Sequence, residues 1–183
     1  SSFNGRKEWP MPNLDRLARE GAVFDRWYTG SPLCAPSRAC LLTGKYNIHN
    51  GVPNNTADLP ETEVTIAEAL RPLGYRTALF GKWHRGRLAD GGFTHPLDQG
   101  FDETFGYLDA RHAWEHFPKT LWRGRESVPV SGYSADLVAN EAVRFLRSPR
   151  REPFFLYVPF IEPHFLVEAP EEDAVATLLD TIR

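Results

Sequence analysis

Cysteine is scarce in this 183-residue chain and methionine scarcer, with two of the first and one of the second. Two cysteines, Cys34 and Cys40, cannot build a disulfide framework. Six residues apart on or beside one helix, they fall on different faces and are not expected to pair. No apolar run approaches the ~18 residues of a membrane span, and no segment reads as a signal peptide. A surplus of charge is missing too. Lys and Arg number 21 against 24 Asp and Glu, a net charge of −3, so there is no basic footprint for nucleic acid and any basic site must be local. Internal repeats and low-complexity tracts are absent. With Met11 as its one methionine and no tail-like composition at Arg183, the chain reads as a portion of a longer polypeptide.

What is present suits one globular domain with a real core: 42% hydrophobic and 25% charged residues. Aromatics at 13% and 15 prolines point to long, structured connections instead of a plain helical bundle. "PNLDRLAREG" (12–21) has Pro at its start, Leu14, Leu17 and Ala18 on one face, and Gly21 as its stop, which predicts a helix. "AVFDRWY" (22–28) is expected to follow as a strand. "PSRACLLTG" (36–44) predicts a short helix. "TIAEALRPLG" (65–74) carries Thr65 and Glu68 at capping-box spacing. "YRTALF" (75–80) reads as a strand. Residues 86–133, rich in Gly, Pro and aromatics without clear periodicity, read as a long structured insertion. "SADLVANEAVRFLRS" (134–148) returns to helical period. "PFFLYV" (153–158), apolar on both faces, has the pattern of a buried parallel strand with neighbours on both sides. "PEEDAVATLLDTIR" (170–183) is expected as a closing helix.

Helix alternates with strand and no hairpin signal stands out, so the expected fold class is α/β, a mainly parallel sheet with helices on its faces. Ligands in such sheets sit beyond the carboxyl ends of the strands. The three expected strand exits are "TGSPLCAPSR", "GKWHRG" and "PFIEPHF", and each delivers a Cys, His, Lys or Arg. Cys34 stands between Pro32 and Pro36 with Arg38 one turn on, which places a sulfur near the positive end of a helix and beside a guanidinium. Cys40, among Ala39, Leu41 and Leu42, is explained by packing.

"CAPSRACLLTG" resembles the sulfatase signature: Cys-x-Pro-Ser-Arg, three variable residues, an apolar position and Thr-Gly. "GKWHRG" (81–86) resembles the second sulfatase motif, "EPHF" (162–165) the third, and "PNLDRLAREG" and "GFDETFGY" (100–107) also look like sulfatase stretches. The likeness runs from about residue 12 to about 172. It is strongest to bacterial sulfatases acting on single sulfated sugars or small aryl sulfates. The resemblance implies the alkaline-phosphatase-like fold. Residues 1–183 would then be part of one catalytic domain, its N-terminal portion, with both flanks elsewhere.

By the same resemblance Cys34 is oxidised after translation to formylglycine by a formylglycine-generating or anaerobic sulfatase-maturating enzyme. Formylglycine hydrates to a gem-diol whose second hydroxyl expels sulfate by C–O cleavage, covalent catalysis with its own release step. Arg38 would hold the diol and Lys82 a sulfate oxygen. His84 would take the proton from the spare hydroxyl, and His164 would contact sulfate or protonate the leaving oxygen. Arg111 and His112, in "LDARHAWEHFP" (108–118), would reach the substrate. His116, His95 and His49 read as surface or structural, and Trp83, Trp114 and Trp122 as either a sugar pocket or packing under the insertion. "NNT" (54–56) is a formal glycosylation sequon.

The resemblance further implies a calcium ion. Its acidic ligands on a first strand lie upstream of Ser1, and an Asp with an Asn, plus a second lysine, lie beyond residue 183. Within the chain Cys34, as formylglycine, is the metal ligand. Asp15, Asp25 and Asp102 fall on a helix, an outward strand position and a turn, and form no pair. The implied activity is hydrolysis of sulfate monoesters, in an extracytoplasmic setting (periplasmic, secreted or lysosomal). Two alternatives stand beside it: a phosphonate or phosphate ester hydrolase of the same superfamily, which more often has Ala at the place of Ser37, and an inactive fragment that binds sulfated glycans.

Overall fold

Helices form where the sequence punctuates them, and two of them frame the strands that matter. The computed structural model describes residues 10–85, 93–164 and 166–170, so the helix expected over 170–183 lies almost wholly outside the described residues. Helix α1 spans Pro12–Glu20 and buries none of its side chains. Helix α2 spans Cys34–Thr43, enters from an extended Leu33 and stops at Gly44, whose N–H donates to the Cys40 carbonyl. Helix α3, Ile66–Leu70, is short and depends on its capping box. Thr65 Oγ1 accepts from the Glu68 N–H, and the Glu68 carboxylate accepts from the Thr65 N–H at 2.8 Å. Helix α4, Ser134–Arg147, has the apolar stripe its sequence period predicts, with Val138, Ala142 and Phe145 buried.

The five strands are β1 (Arg76–Arg85), β2 (Glu103–Asp109), β3 (Thr120–Arg123), β4 (Glu126–Pro129) and β5 (Phe154–Tyr157). They form one sheet in the order β4-β3-β2-β1-β5. Strand β1 is parallel to both β2 and β5, whereas β2–β3 and β3–β4 are antiparallel. The α/β class is therefore found, but the sheet is mixed.

Four expectations need correcting. Residues 22–28 form no strand, because no partner among the described residues offers them a ladder. Residues 103–129 of the 86–133 stretch supply three strands of the sheet, β2, β3 and β4. A hairpin does occur, turning at Gly124 between Arg123 and Arg125. Strand β5 pairs with β1 alone among the described residues and occupies the edge, with Phe154 exposed.

The period-2 alternation of β1 sorts its side chains onto two cores. Leu79 and Trp83 join Ala35, Ala39 and Leu42 of α2 and Ala67 of α3 on one face. Ala78 and Phe80 join Val138, Ala142 and Phe145 of α4 on the other. Helices thus cover both faces. On the α4 side a chain of charges crosses the strands. Arg123 forks onto the buried Glu141 at 2.5 and 3.0 Å, and Arg144 bridges Glu141 and Glu103, which also holds Arg76 at 2.8 Å. A buried carboxylate needs such partners, since its desolvation otherwise outweighs what it contributes.

At the carboxyl end of β1 the backbones approach more closely than side chains permit. Gly81 has φ +130°, and a Cβ there would lie 2.3 Å from the Pro159 carbonyl oxygen; one on its register partner Gly106 would lie 2.2 Å from the Gly81 oxygen. The next residue, Lys82, donates its N–H to the same Pro159 carbonyl at 2.9 Å. This contact carries the chain leaving β5 to the end of β1.

Candidate active site

Cys34 is the first residue of α2, half-buried and with a free thiol. The first turn of a helix has N–H groups without intrahelical partners. Here the Ala35 N–H is satisfied by the Asn55 side chain at 3.0 Å, which fastens the 54–56 loop to the helix start. One turn along, Arg38 reaches across to β1 and donates to the Lys82 carbonyl at 2.9 Å, with the Tyr157 hydroxyl of β5 at 3.5 Å from the same nitrogen. Its Nε is buried without a partner.

Lys82 is only 2% exposed, unusual for an ammonium. Burial lowers its pKa, Cys34 works the other way, and Arg38 lowers it further, so the Lys82 ammonium senses both Cys34 and Arg38. His84 follows on the same strand, 6% exposed, at a φ of +72° where the β1–β2 register shifts between Lys82 and Arg85. Such irregularities re-aim side chains at the ends of strands. Neither ring nitrogen of His84 makes a well-formed hydrogen bond, although the Asn55 backbone is near enough to pull its pKa upward. Burial first, then the charges of Lys82 and Arg38, depress its pKa to about 4, so the imidazole is neutral at pH 7 and able to accept a proton. His164, half-buried after the turn in which its N–H donates to the Ile161 carbonyl, is close enough to add to that depression, and its Nδ1 is also buried without a partner.

The five residues expected to carry chemistry, Cys34, Arg38, Lys82, His84 and His164, are therefore brought together by α2, the end of β1 and the turn after β5. The two expected substrate contacts sit at the neighbouring end of β2. Arg111 is exposed, while the His112 ring is engaged by the Thr120 carbonyl at 2.9 Å and lies edge-on to Tyr107. Trp83 is core, its indole N–H donating to the Thr94 carbonyl, and Trp122 packs beside it, whereas Trp114 is exposed. His95 is structural, accepting from the Leu97 N–H and meeting the Gly124 carbonyl. Cys40 contacts Asn50 and faces Gly30, as packing predicts.

Two participants escaped the sequence. Tyr157 looked like one more apolar residue of "PFFLYV", yet its hydroxyl meets Arg38; burial raises its pKa against the pull of that guanidinium. Asn55 was hidden in a formal sequon. For Tyr157 the signal was a polar atom in a strand whose exit was expected at the site; for Asn55 the sequence offered none.

Around Cys34 stand nitrogen donors, several unpaired and collectively positive, a set that fits an oxyanion. It does not fit a hard cation, which takes six or more oxygens. Among the described residues no group of three or more His, Cys, Asp or Glu could hold a metal ion. The described residues thus do not by themselves fit calcium.

The sulfatase family model matches residues 1–177. The chain is 33% identical over 155 residues to the N-acetylglucosamine-6-O-sulfatase of Bacteroides thetaiotaomicron, covering 84% of this chain and 26% of that protein. It is 34% identical over 189 residues to the N-acetylgalactosamine-6-sulfatase of Homo sapiens, covering 84% of this chain and 34% of that one. Among solved structures it is similar to BT4656 in complex with its substrate D-glucosamine-2-N,6-O-disulfate, with a TM-score of 0.81 and 31% identity over 100% of this chain and 35% of that chain. The chain spans about a quarter to a third of the length of these relatives.

Proposed function

The chain belongs to the sulfatase family, and on that premise we propose that the protein hydrolyses sulfate monoesters of sugars, with small aryl sulfates as accessible substrates. The observation that carries the reading is the pair of unpaired buried nitrogens, Arg38 Nε and His164 Nδ1, gathered with buried Lys82 and His84 about Cys34. Unsatisfied buried donors and a desolvated ammonium are costly in an empty site and are repaid when a sulfate oxyanion arrives.

In this reading Cys34 is converted to formylglycine by a maturating enzyme, and the hydrated side chain supplies a nucleophile able to release sulfate again. The chain's own residues prepare the site for that group. The start of α2 presents position 34 to its positive end. Arg38, held by the Lys82 carbonyl, keeps a guanidinium against position 34, and Lys82 neutralises a sulfate oxygen. Neutral His84 accepts a proton from position 34, and His164 faces sulfate or the leaving oxygen. The carbohydrate preference rests on the named substrates of the relatives. Calcium, an extracytoplasmic location and roles for Arg111 and His112 at the substrate belong to the same reading and rest on the family likeness.

The test is turnover of 4-nitrophenyl sulfate and N-acetylglucosamine-6-sulfate by the intact protein co-expressed with a formylglycine-generating enzyme. Cys34→Ala should abolish it. Cleavage of a phenyl phosphonate monoester in preference to both sulfates would assign the phosphonate chemistry instead. Binding of a sulfated sugar without turnover by fully converted protein would assign a recognition role.

A further inference from the structure

Glu162 lies two residues before His164, in the turn that follows β5. Phe160 is exposed, and one backbone bond, His164 N–H to the Ile161 carbonyl, closes the turn. The start of the turn is fixed by the Lys82 N–H on Pro159 and its middle by buried Ile161. Glu162 does not point to water. Its side chain is 18% exposed, and one carboxylate oxygen accepts a hydrogen bond from the Ser134 hydroxyl. The same oxygen lies 3.6 Å from Nδ1 of His116, a ring that is 0% exposed.

Three segments far apart in sequence converge there. Ser134 is the first residue of α4, whose N-cap, Tyr133, contributes no side-chain cap, so a carboxylate at this end also meets the positive pole of a 14-residue helix. The Ser134 N–H donates to the His116 carbonyl at 2.8 Å, and Tyr133 stacks on the His116 ring at an interplanar angle of 18°. Tyr107 of β2 borders the group and donates its hydroxyl to the Glu115 carbonyl. Withdrawing a carboxylate this far from water is unfavourable unless its partners are set in place. Conversely, once Ser134 and His116 are in place, they leave the carboxylate little room to move.

We infer that Glu162 is a positioning residue for the active site: pinned between the Ser134 hydroxyl and the buried His116 ring, it fixes the turn that presents His164. The inference rests on the reading that His164 acts at the sulfate, and goes beyond it by assigning Glu162, Ser134 and His116 a shared task.

Two measurements on the intact, converted protein test it. In a crystal structure of Glu162→Gln, the His164 ring should move by roughly 1 Å, a misplacement that costs on the order of 10²-fold in rate. In kinetics, Glu162→Gln should lower kcat/KM by about that factor, and combining it with His164→Ala should add almost nothing further, as expected for residues acting as one unit. Glu162→Asp should recover part of the rate. If Glu162→Gln does not fold, Ser134→Ala, which removes one hydroxyl, is subjected to the same two measurements. A His164 ring that stays in place, or losses that multiply with His164→Ala, overturns the inference. If the wild-type protein turns over no sulfate ester, the functional reading fails, and the crystallographic measurement still decides the positioning.

Discussion

Replacing Gly81 by Ala should disconnect the two strand exits that build the site. The added Cβ would sit 2.3 Å from the Pro159 oxygen, whereas ordinary contact begins at 3.4 Å, so the chain leaving β5 must retreat by about 1 Å. The Lys82 N–H bond to that oxygen, now 2.9 Å, would stretch to roughly 3.9 Å and be lost. Holding an alanine at φ +130° costs about 1–3 kcal/mol, and the broken hydrogen bond about 1 kcal/mol net, so the expected destabilisation is about 2–4 kcal/mol. The displaced turn carries His164, so kcat/KM should fall on the order of 10²-fold as well. Gly132→Ala is the control, because Gly132 has φ +121° with nothing within 4 Å of its added Cβ. It should show the backbone cost alone and keep its rate. Urea unfolding at unchanged m and aryl sulfate kinetics on the intact protein measure both effects. If Gly81→Ala costs no more stability than Gly132→Ala and retains activity within about twofold, the close approach does not govern the site.

His84 should impose an acid penalty. Its imidazole protonates at about 4 in the folded chain and at an ordinary 6.5 when unfolded, so unfolding takes up a proton between those values and stability rises with pH across that window. The gap between wild type and His84→Asn should shift in favour of the variant by up to about 3 kcal/mol between pH 7.5 and pH 4, and a gap that ignores pH refutes the buried neutral ring. Conversion of Cys34 should remove about 18 Da from the peptide containing "LCAPSR"; a free thiol there in an active preparation excludes the formylglycine mechanism. Cys40→Ala should cost no more than ~2 kcal/mol and leave turnover intact. His84→Ala should accumulate sulfated enzyme after one turnover, whereas His164→Ala should slow poor leaving groups far more than nitrophenol, and identical responses would merge their roles. Residues 1–183 expressed alone should aggregate, since β5 is an open edge and Trp27, Tyr28, Tyr46 and Ile48 are bare; a monodisperse, cooperatively unfolding preparation would contradict this.

Much of the site was legible because its information is local. The Cys34–Arg38 spacing is one helical turn, the Thr65–Glu68 box is three residues, and the apolar centre of β1 is a contiguous run. What stayed hidden depends on partners remote in sequence. "AVFDRWY" reads as a strand from its residue types but finds no ladder among the described residues, and sequence alone cannot supply one. Strands β2 to β4 are short and interrupted by Gly106 and Gly124, which dilutes a period-2 signal to a few residues each. The Tyr157 hydroxyl and the Glu162–His116 approach follow from which segments converge, a property of the sheet order that no window of sequence contains.

The contact between Arg38 and Tyr157 spans 119 residues of chain. During synthesis the signature helix therefore emerges long before the strand that completes its surroundings, and β1 waits for both of its neighbours in the same way. Closure of distant segments is slow and comes late in folding. Until Phe154–Tyr157 docks, the Arg38 guanidinium beside Cys34 has its Lys82 carbonyl but lacks the Tyr157 hydroxyl, and β1 lacks one of its two neighbours. If Cys34 is converted as proposed, the interval before β5 arrives is the one in which a modifying enzyme would meet the signature helix with its surroundings unfinished.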